Sequence, residues 1–214
     1  VRKILQKYSI KNKGLEIHYD GDLPSNSGMA SSACFVVGLL NALNNLCLKN
    51  INKRDLANLA IHYEQKILKE HVGSQDQVAC TYGGFNSIIF KRNSEFVVNK
   101  IETEKNFISK LNKNLVLLYT GQQRTAQEIA KTFIYKINKS KKKEILAILD
   151  CVKIAKKIIK TSNLNEFGLL LDESWKIKKS LAKNISNSEM DSIYQRAKKY
   201  GSLGGKILGA GGGG

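Results

Sequence analysis

Proline is almost absent: Pro24 is the single one in 214 residues, so no proline-rich spacer divides the chain. No apolar run approaches the roughly 20 residues that a membrane-spanning helix requires. The first residues, VRKILQKYSIKNKG, lack the apolar core and small-residue cleavage site of a secretory signal. These absences lead to the expectation of a globular, cytoplasmic protein with no membrane partner. Cysteine is scarce as well. Cys34, Cys47, Cys80 and Cys151 form no C-x-x-C pair and have no histidine cluster beside them, which argues against zinc and for free, mostly buried thiols.

Acidic residues are outnumbered, 18 against 35 basic ones, and the formal net charge is +17. Such an excess raises the question of nucleic acid. The distribution argues against it. Lysines greatly outnumber arginines and sit in stretches such as NKSKKKEILAILDCVKIAKKIIK, between apolar positions, as on the solvated face of a helix. Some general attraction for anionic metabolites follows, but no nucleic-acid motif accompanies the charge and no such partner is expected.

At this length, one or two domains can each bury a core. Leu15, Ile17 and Tyr19 alternate with polar neighbours, which predicts a half-buried strand. The stretch from Ser31 to Leu48 is apolar on nearly every helical face and predicts a central, shielded helix. Asn52, with Asp55 three residues on, predicts the start of a second helix that stops near His71. A short helical turn, a Gly83-Gly84 break and a strand over 87–90 follow, then a polar, lysine-rich passage to about Asn114. LVLLYTG predicts a buried strand at the opening of a second domain, and helical periodicity dominates from Thr125 to Tyr200, with breaks near TSNLN and NISNSE.

Between the first strand and the first helix lies LPSNSGMASSA. Small residues at a helix entrance let a polyanion reach free backbone N–H groups, where the helix dipole favours phosphate. Gly28, Ala30, Ser31 and Ser32 suit that role, and a serine hydroxyl can also help hold magnesium. Taken alone, the loop reads equally well as an ordinary helix cap. Glu64 and Asp76 add two carboxylates across the Gly73 break, a pairing that suits phosphoryl transfer: one carboxylate for magnesium, one for the attacking hydroxyl. Each also has a plain explanation, as a solvent-facing helix charge and a helix N-terminal residue.

LPSNSGMASSA resembles the second motif of the GHMP kinases, P-x-x-x-G-[LM]-[GA]-S-S-[AS], with Ala30 where glycine is usual, and GGKILGAGGGG resembles their glycine-rich third motif. The two stand in the family's order near opposite ends of the chain. VGSQDQVACTYGGFNSIIF and LVLLYTGQQRTAQEI extend the likeness toward the branch that acts on a heptose 7-phosphate. The resemblance implies an α+β, two-domain GHMP kinase fold. Residues 1–110 would form an ATP- and magnesium-binding domain like domain 2 of ribosomal protein S5, and residues 111–214 a ferredoxin-like domain, with the nucleotide between them.

Carried over position by position, the resemblance has Pro24, Ser25, Asn26, Ser27, Gly28, Met29, Ala30, Ser31 and Ser32 wrap the phosphates of ATP. Ser32 and Glu64 would hold Mg2+, with Ser31 the alternative serine. Asp76 would face the sugar hydroxyl as the catalytic residue. Gly83, Gly84, Arg124, Gly209 and Gly211 would join Asp76 around the sugar, and Arg124 is the candidate receptor for the phosphate the substrate already carries. Lys206 is a further basic candidate. The implied reaction is ATP-dependent phosphorylation of the anomeric hydroxyl of D-glycero-D-manno-heptose 7-phosphate, on the way to a nucleotide-activated heptose. A fucose- or galactose-type kinase and a nucleotide-binding but inactive relative are the alternatives, and a homodimer is compatible with all three. The family's first motif, a strand followed by a G-G-G-T-D turn, has no counterpart here, and the third motif reaches Gly214 without the apolar strand that follows it in the family. The expectation is a chain that corresponds to an internal portion of the family's polypeptide.

Overall fold

In a computed structural model that describes residues 1–8, 14–22, 27–70, 72–122 and 140–213, the run after the serine-rich loop folds as helix α2 (Ser31–Leu46). Its apolar residues are spaced so that Ala33, Val36, Val37, Leu40 and Leu43 fall on one broad face, and all five are buried. They meet Ile4 and Tyr8 of α1 (Arg2–Tyr8), Leu56 and Ala60 of α3 (Lys53–His62), and Tyr63. Each fully buried aliphatic side chain here contributes roughly 1.5–3 kcal/mol. Asn44 is buried among them with its amide paired, donating to Tyr8 Oη and to the Leu40 carbonyl, both at 2.8 Å. The helix is not shielded all round: Cys34, Gly38, Asn41, Ala42 and Asn45 are exposed, since most of the residues outside that face are small or polar.

Asn52 caps α3 as its spacing predicts, its side-chain oxygen accepting from the Asp55 N–H at 2.9 Å. The helix then widens into a π turn, Tyr63–Ile67, closed by the Leu68 N–H on the Tyr63 carbonyl at 2.8 Å. Helix α4 (Gln75–Tyr82) ends at Gly83, whose φ of 62° turns the chain into the antiparallel hairpin β1 (Asn86–Phe90) and β2 (Phe96–Lys100). Phe90 pairs with Phe96, and Ala57, Val78 and Phe96 make a small core where α3, α4 and β2 meet. The strand β2 sits inside what the sequence presents as a polar passage, where Phe96, Val97 and Val98 are the one run of three apolar residues.

By its contacts the chain divides into two units, Val1–Asn26 with Ala30–Ile101, and Ser27–Met29 with Glu102–Gly214. The second contains α5 (Phe107–Asn114), α6 (Lys142–Lys160), α7 (Leu164–Lys179), a 3-10 turn at Lys183–Ile185, and α8 (Ser188–Lys199). Helices α6 and α7 form a hairpin whose short loop ends in Asn163, the cap of α7; Asn187 caps α8 in the same way, accepting from the Met190 N–H at 2.9 Å. Trp175, Leu181 and Ile185 make one core, and Cys151, Ile158 and Leu170 another.

Two strand expectations give way. Leu15, Ile17 and Tyr19 are extended but exposed, and so is the run 115–119, with Val116 85% exposed; neither stretch pairs in a sheet among the described residues. Alternation and apolar character favour extended backbone, but a strand is buried only when a neighbour completes its ladder. The thiols also depart from expectation: only Cys151 is buried, Cys34 is exposed, and Cys47 and Cys80 are half-buried, all four being free. Among the described residues no helix is long and apolar enough to cross a membrane.

Candidate active site

The serine loop is built around two left-handed residues. Gly28 has φ 74°, and a Cβ placed on it would lie 3.1 Å from the Leu208 carbonyl oxygen. Ala30 has φ 59° and ψ 27°, a conformation that costs an L-residue about 1–2 kcal/mol. Its carbonyl accepts the Cys34 N–H at 2.9 Å, the first bond of α2. The N–H groups of Ser31, Ser32 and Ala33 therefore precede the helix ladder and, with the helix dipole, suit an anion. The Ser27 hydroxyl is buried with no hydrogen-bond partner among the described residues, a donor that a phosphate oxygen would satisfy. Relief of the strain at Ala30 predicts that Ala30→Gly raises stability by about 1 kcal/mol. Thermal unfolding measures it, and an unchanged or lower Tm would contradict that conformation.

Ser32 Oγ donates to Glu64 Oε1 at 2.9 Å, joining the first turn of α2 to the π turn. Glu64 is 1% exposed, and its other oxygen accepts from the side chain of Gln77 on α4. Buried carboxylates are tolerated only when held in this way. Glu70 donates its N–H to the Glu64 carbonyl at 2.9 Å, and burial, then the charge of Glu64, raises its carboxyl above the usual carboxylate range. A cation would relieve that field. Magnesium takes hard oxygen ligands, and the Ser32 hydroxyl and Glu64 carboxylate, joined by this hydrogen bond, are oxygen donors of that kind that would hold it. Among the described residues no group of three or more His, Cys, Asp or Glu could hold a metal ion, which is the pattern for zinc rather than for a cation that keeps most of its waters.

Asp76 lies in the first turn of α4, half-buried, where the helix dipole favours its charge. Its carboxylate accepts no hydrogen bond from the other described residues. Gln77 follows it directly, so the residue that holds Glu64 also fixes the start of α4 beside it. Sequence reading missed Gln77, whose only signal is its place one residue after Asp76 in GSQDQVA. Cys80, one turn further on, has its Sγ 2.8 Å from that of Cys34. Burial, that contact, and the charges of Asp76 and Glu64 push its thiol up to about 12, so Cys80 stays protonated at neutral pH and is no nucleophile.

Other expected residues stand elsewhere. Gly83 and Gly84 are exposed at the far end of α4 from Asp76, about 10 Å along the helix axis, and serve the turn into β1 through positive φ. Gly209, with φ 63°, packs its backbone on Gly28, and a Cβ there would lie 3.2 Å from Gly28 Cα. Gly211 is buried against the 3-10 turn: a Cβ would meet the Ile185 carbonyl oxygen at 2.8 Å, and the Gly212 N–H donates to the same oxygen at 2.9 Å. These glycines answer backbone approach within the second unit. Lys206 is exposed. Arg124, and Pro24, Ser25 and Asn26 of the loop, lie outside the described residues.

A helix entrance rich in serine, with the buried Glu64 carboxylate beside Ser32, suits a phosphate-handling class of protein. Residues 1–84 match the family model for the GHMP kinases N terminal domain and residues 154–214 that for the GHMP kinases C terminal domain, together more than half of the chain, which belongs to the GHMP kinase family and has its fold. Among curated relatives it is 30% identical over 214 residues to the D-glycero-alpha-D-manno-heptose 7-phosphate kinase of Campylobacter jejuni, an alignment that covers 99% of this chain and 63% of the relative. It is 25% identical over 241 residues to the galactokinase of Pyrococcus furiosus, with 99% and 66% covered. Among solved structures it is similar to a D-glycero-D-manno-heptose 1-phosphate kinase from Bacteriodes thetaiotaomicron, with a TM-score of 0.67 and 25% identity over 98% of this chain and 59% of that one. The chain thus spans less than two thirds of the length of each of these relatives.

Proposed function

We propose that the chain carries the catalytic site of an ATP-dependent sugar kinase whose acceptor is D-glycero-D-manno-heptose 7-phosphate. The observation that carries this reading is the meeting of the Ser32 hydroxyl and the Glu64 carboxylate, 2.9 Å apart at the N-terminus of α2. The likeness to the Campylobacter jejuni heptose 7-phosphate kinase favours a heptose over fucose or galactose, and the Bacteriodes structure is named for a heptose phosphate as well. The N–H groups opening α2, with Ser27 and Gly28, bind the nucleotide phosphates. Magnesium held by Ser32 and Glu64 would neutralise charge on the phosphate oxygens. Asp76 accepts the proton of the anomeric hydroxyl as its oxygen bonds to the γ-phosphorus and the bond to the leaving ADP breaks. The product is the 1,7-bisphosphate, an intermediate suited to nucleotide activation in the cytoplasm. Arg124 is the proposed receptor of the 7-phosphate.

The test is magnesium-dependent ADP release by the full chain with heptose 7-phosphate, unphosphorylated heptose, fucose and galactose. Turnover confined to the heptose 7-phosphate is the expected result. Turnover with a free sugar would overturn the substrate and the role of Arg124, and no turnover with any would leave a nucleotide-binding, inactive relative. Within this reading, Glu64→Gln is expected to raise the magnesium concentration for half-maximal rate by on the order of tenfold or more. A wild-type magnesium titration would remove Glu64 from the metal.

A further inference from the structure

Lysines on α7 have different partners. Lys176 pairs with Asp172 at 2.7 Å and Lys179 with Asp191 at 3.0 Å, the ordinary use of surface cations. Lys178, between them, turns to backbone: its Nζ donates to the Gly209 carbonyl at 2.6 Å and to the Ile207 carbonyl at 3.0 Å. Residues 202–209 are in neither helix nor strand, so the Ile207 and Gly209 carbonyls have no ladder to join and a side-chain cation satisfies them instead. The clamped residues bracket Leu208, whose carbonyl oxygen is the atom nearest to a Cβ built on Gly28, and Gly209 packs directly on Gly28. Ser27, next to Gly28, carries the buried hydroxyl without a partner. All of these residues belong to the second unit.

We infer that Lys178 is a positioning residue: its ammonium fixes the backbone of 207–209, against which Gly28 rests, and so sets the shape of this end of the serine loop and its affinity for ATP. The clamp rests on geometry alone, whereas its link to ATP rests on the nucleotide-binding reading above. A lysine is poorly placed here for stability as such. Burial, and then the charge of Lys206, draws its pKa down to about 8, so the site holds a cation against its surroundings. A purely structural contact between α7 and this segment could be apolar, as it is where Leu203 covers Gly168.

The test compares the full chain with Lys178→Met, which keeps the stem and loses the donors, and Lys178→Arg, which keeps donors and charge. Hydrogen exchange at the amides of Ile207 to Ala210 is read against those of α7, and MgATP affinity is read by calorimetry without any sugar. Lys178→Met is expected to speed exchange in the segment and to weaken MgATP binding, each by on the order of tenfold, with α7 amides unchanged. Lys178→Arg is expected to recover affinity to within about threefold of wild type. Unchanged exchange in folded Lys178→Met overturns the clamp; faster exchange with unchanged affinity overturns its link to ATP. Should Lys178→Met fail to fold, Lys178→Gln, which keeps one donor group, is read by the same two criteria. A wild-type chain that binds MgATP in a Lys178-dependent way but phosphorylates no sugar would support this inference while refuting the kinase reading.

Discussion

Asp76→Asn is expected to abolish turnover, with kcat falling by about 1,000-fold or more while MgATP affinity stays within about threefold. Asparagine matches aspartate in size and can stand in the first turn of α4, so the fold loses only a helix-dipole term of about 0.3–1 kcal/mol. What it cannot do is accept the hydroxyl proton. Binding should survive because the groups proposed for the phosphates, Ser27, Gly28 and the opening of α2, do not include this side chain. Steady-state kinetics with saturating heptose 7-phosphate, together with calorimetry for MgATP, separates the two effects. Turnover near the wild-type value would remove Asp76 from the catalytic role.

Gly204→Ala is expected to destabilise the second unit by about 3 kcal/mol or more, lowering Tm by roughly 10 °C or more. Segment 202–205 lies directly on the backbone of α7. A Cβ at Gly204 would stand 2.6 Å from the Asp172 nitrogen and closer still to the Gly168 carbonyl oxygen. Neither atom belongs to a flexible side chain that could step aside, and both are held in the ladder of α7. The neighbouring Gly205→Ala is the control: its added Cβ would meet only Tyr194 Cε2, at 3.8 Å, an ordinary contact. That variant should stay within about 1 kcal/mol of wild type. Equal Tm values for the two would show that the segment does not press on α7.

Much of this was legible in the residues, and the limits have physical causes. The cap of α3 could be read from Asn52 and Asp55 because its bond closes within four residues. The helices α2, α6, α7 and α8 could be read from periodicity, since each turns an apolar stripe toward a core. Ser32 and Glu64 were paired through family resemblance alone; their contact spans 32 positions, which no local pattern encodes. Gln77 was missed because a glutamine in the first turn of a helix looks like any solvated residue until its burial is known. Lys178 was hidden among the many lysines that do face water. Exposure was misread at 15–19 and 115–119, where local alternation or apolar character says what the backbone prefers but nothing about which neighbour covers it.

The left-handed backbone at Ala30 has a consequence for sequence variation. In a library of all twenty residues at this position, selected for folding alone, glycine should be the most enriched, with asparagine and aspartate next, ahead of alanine, because their short polar side chains tolerate that conformation. Valine and isoleucine should vanish, although each adds apolar surface in front of an apolar helix. A position with a side chain as small as a methyl group, carrying no chemistry of its own, would then be among the least interchangeable in the loop.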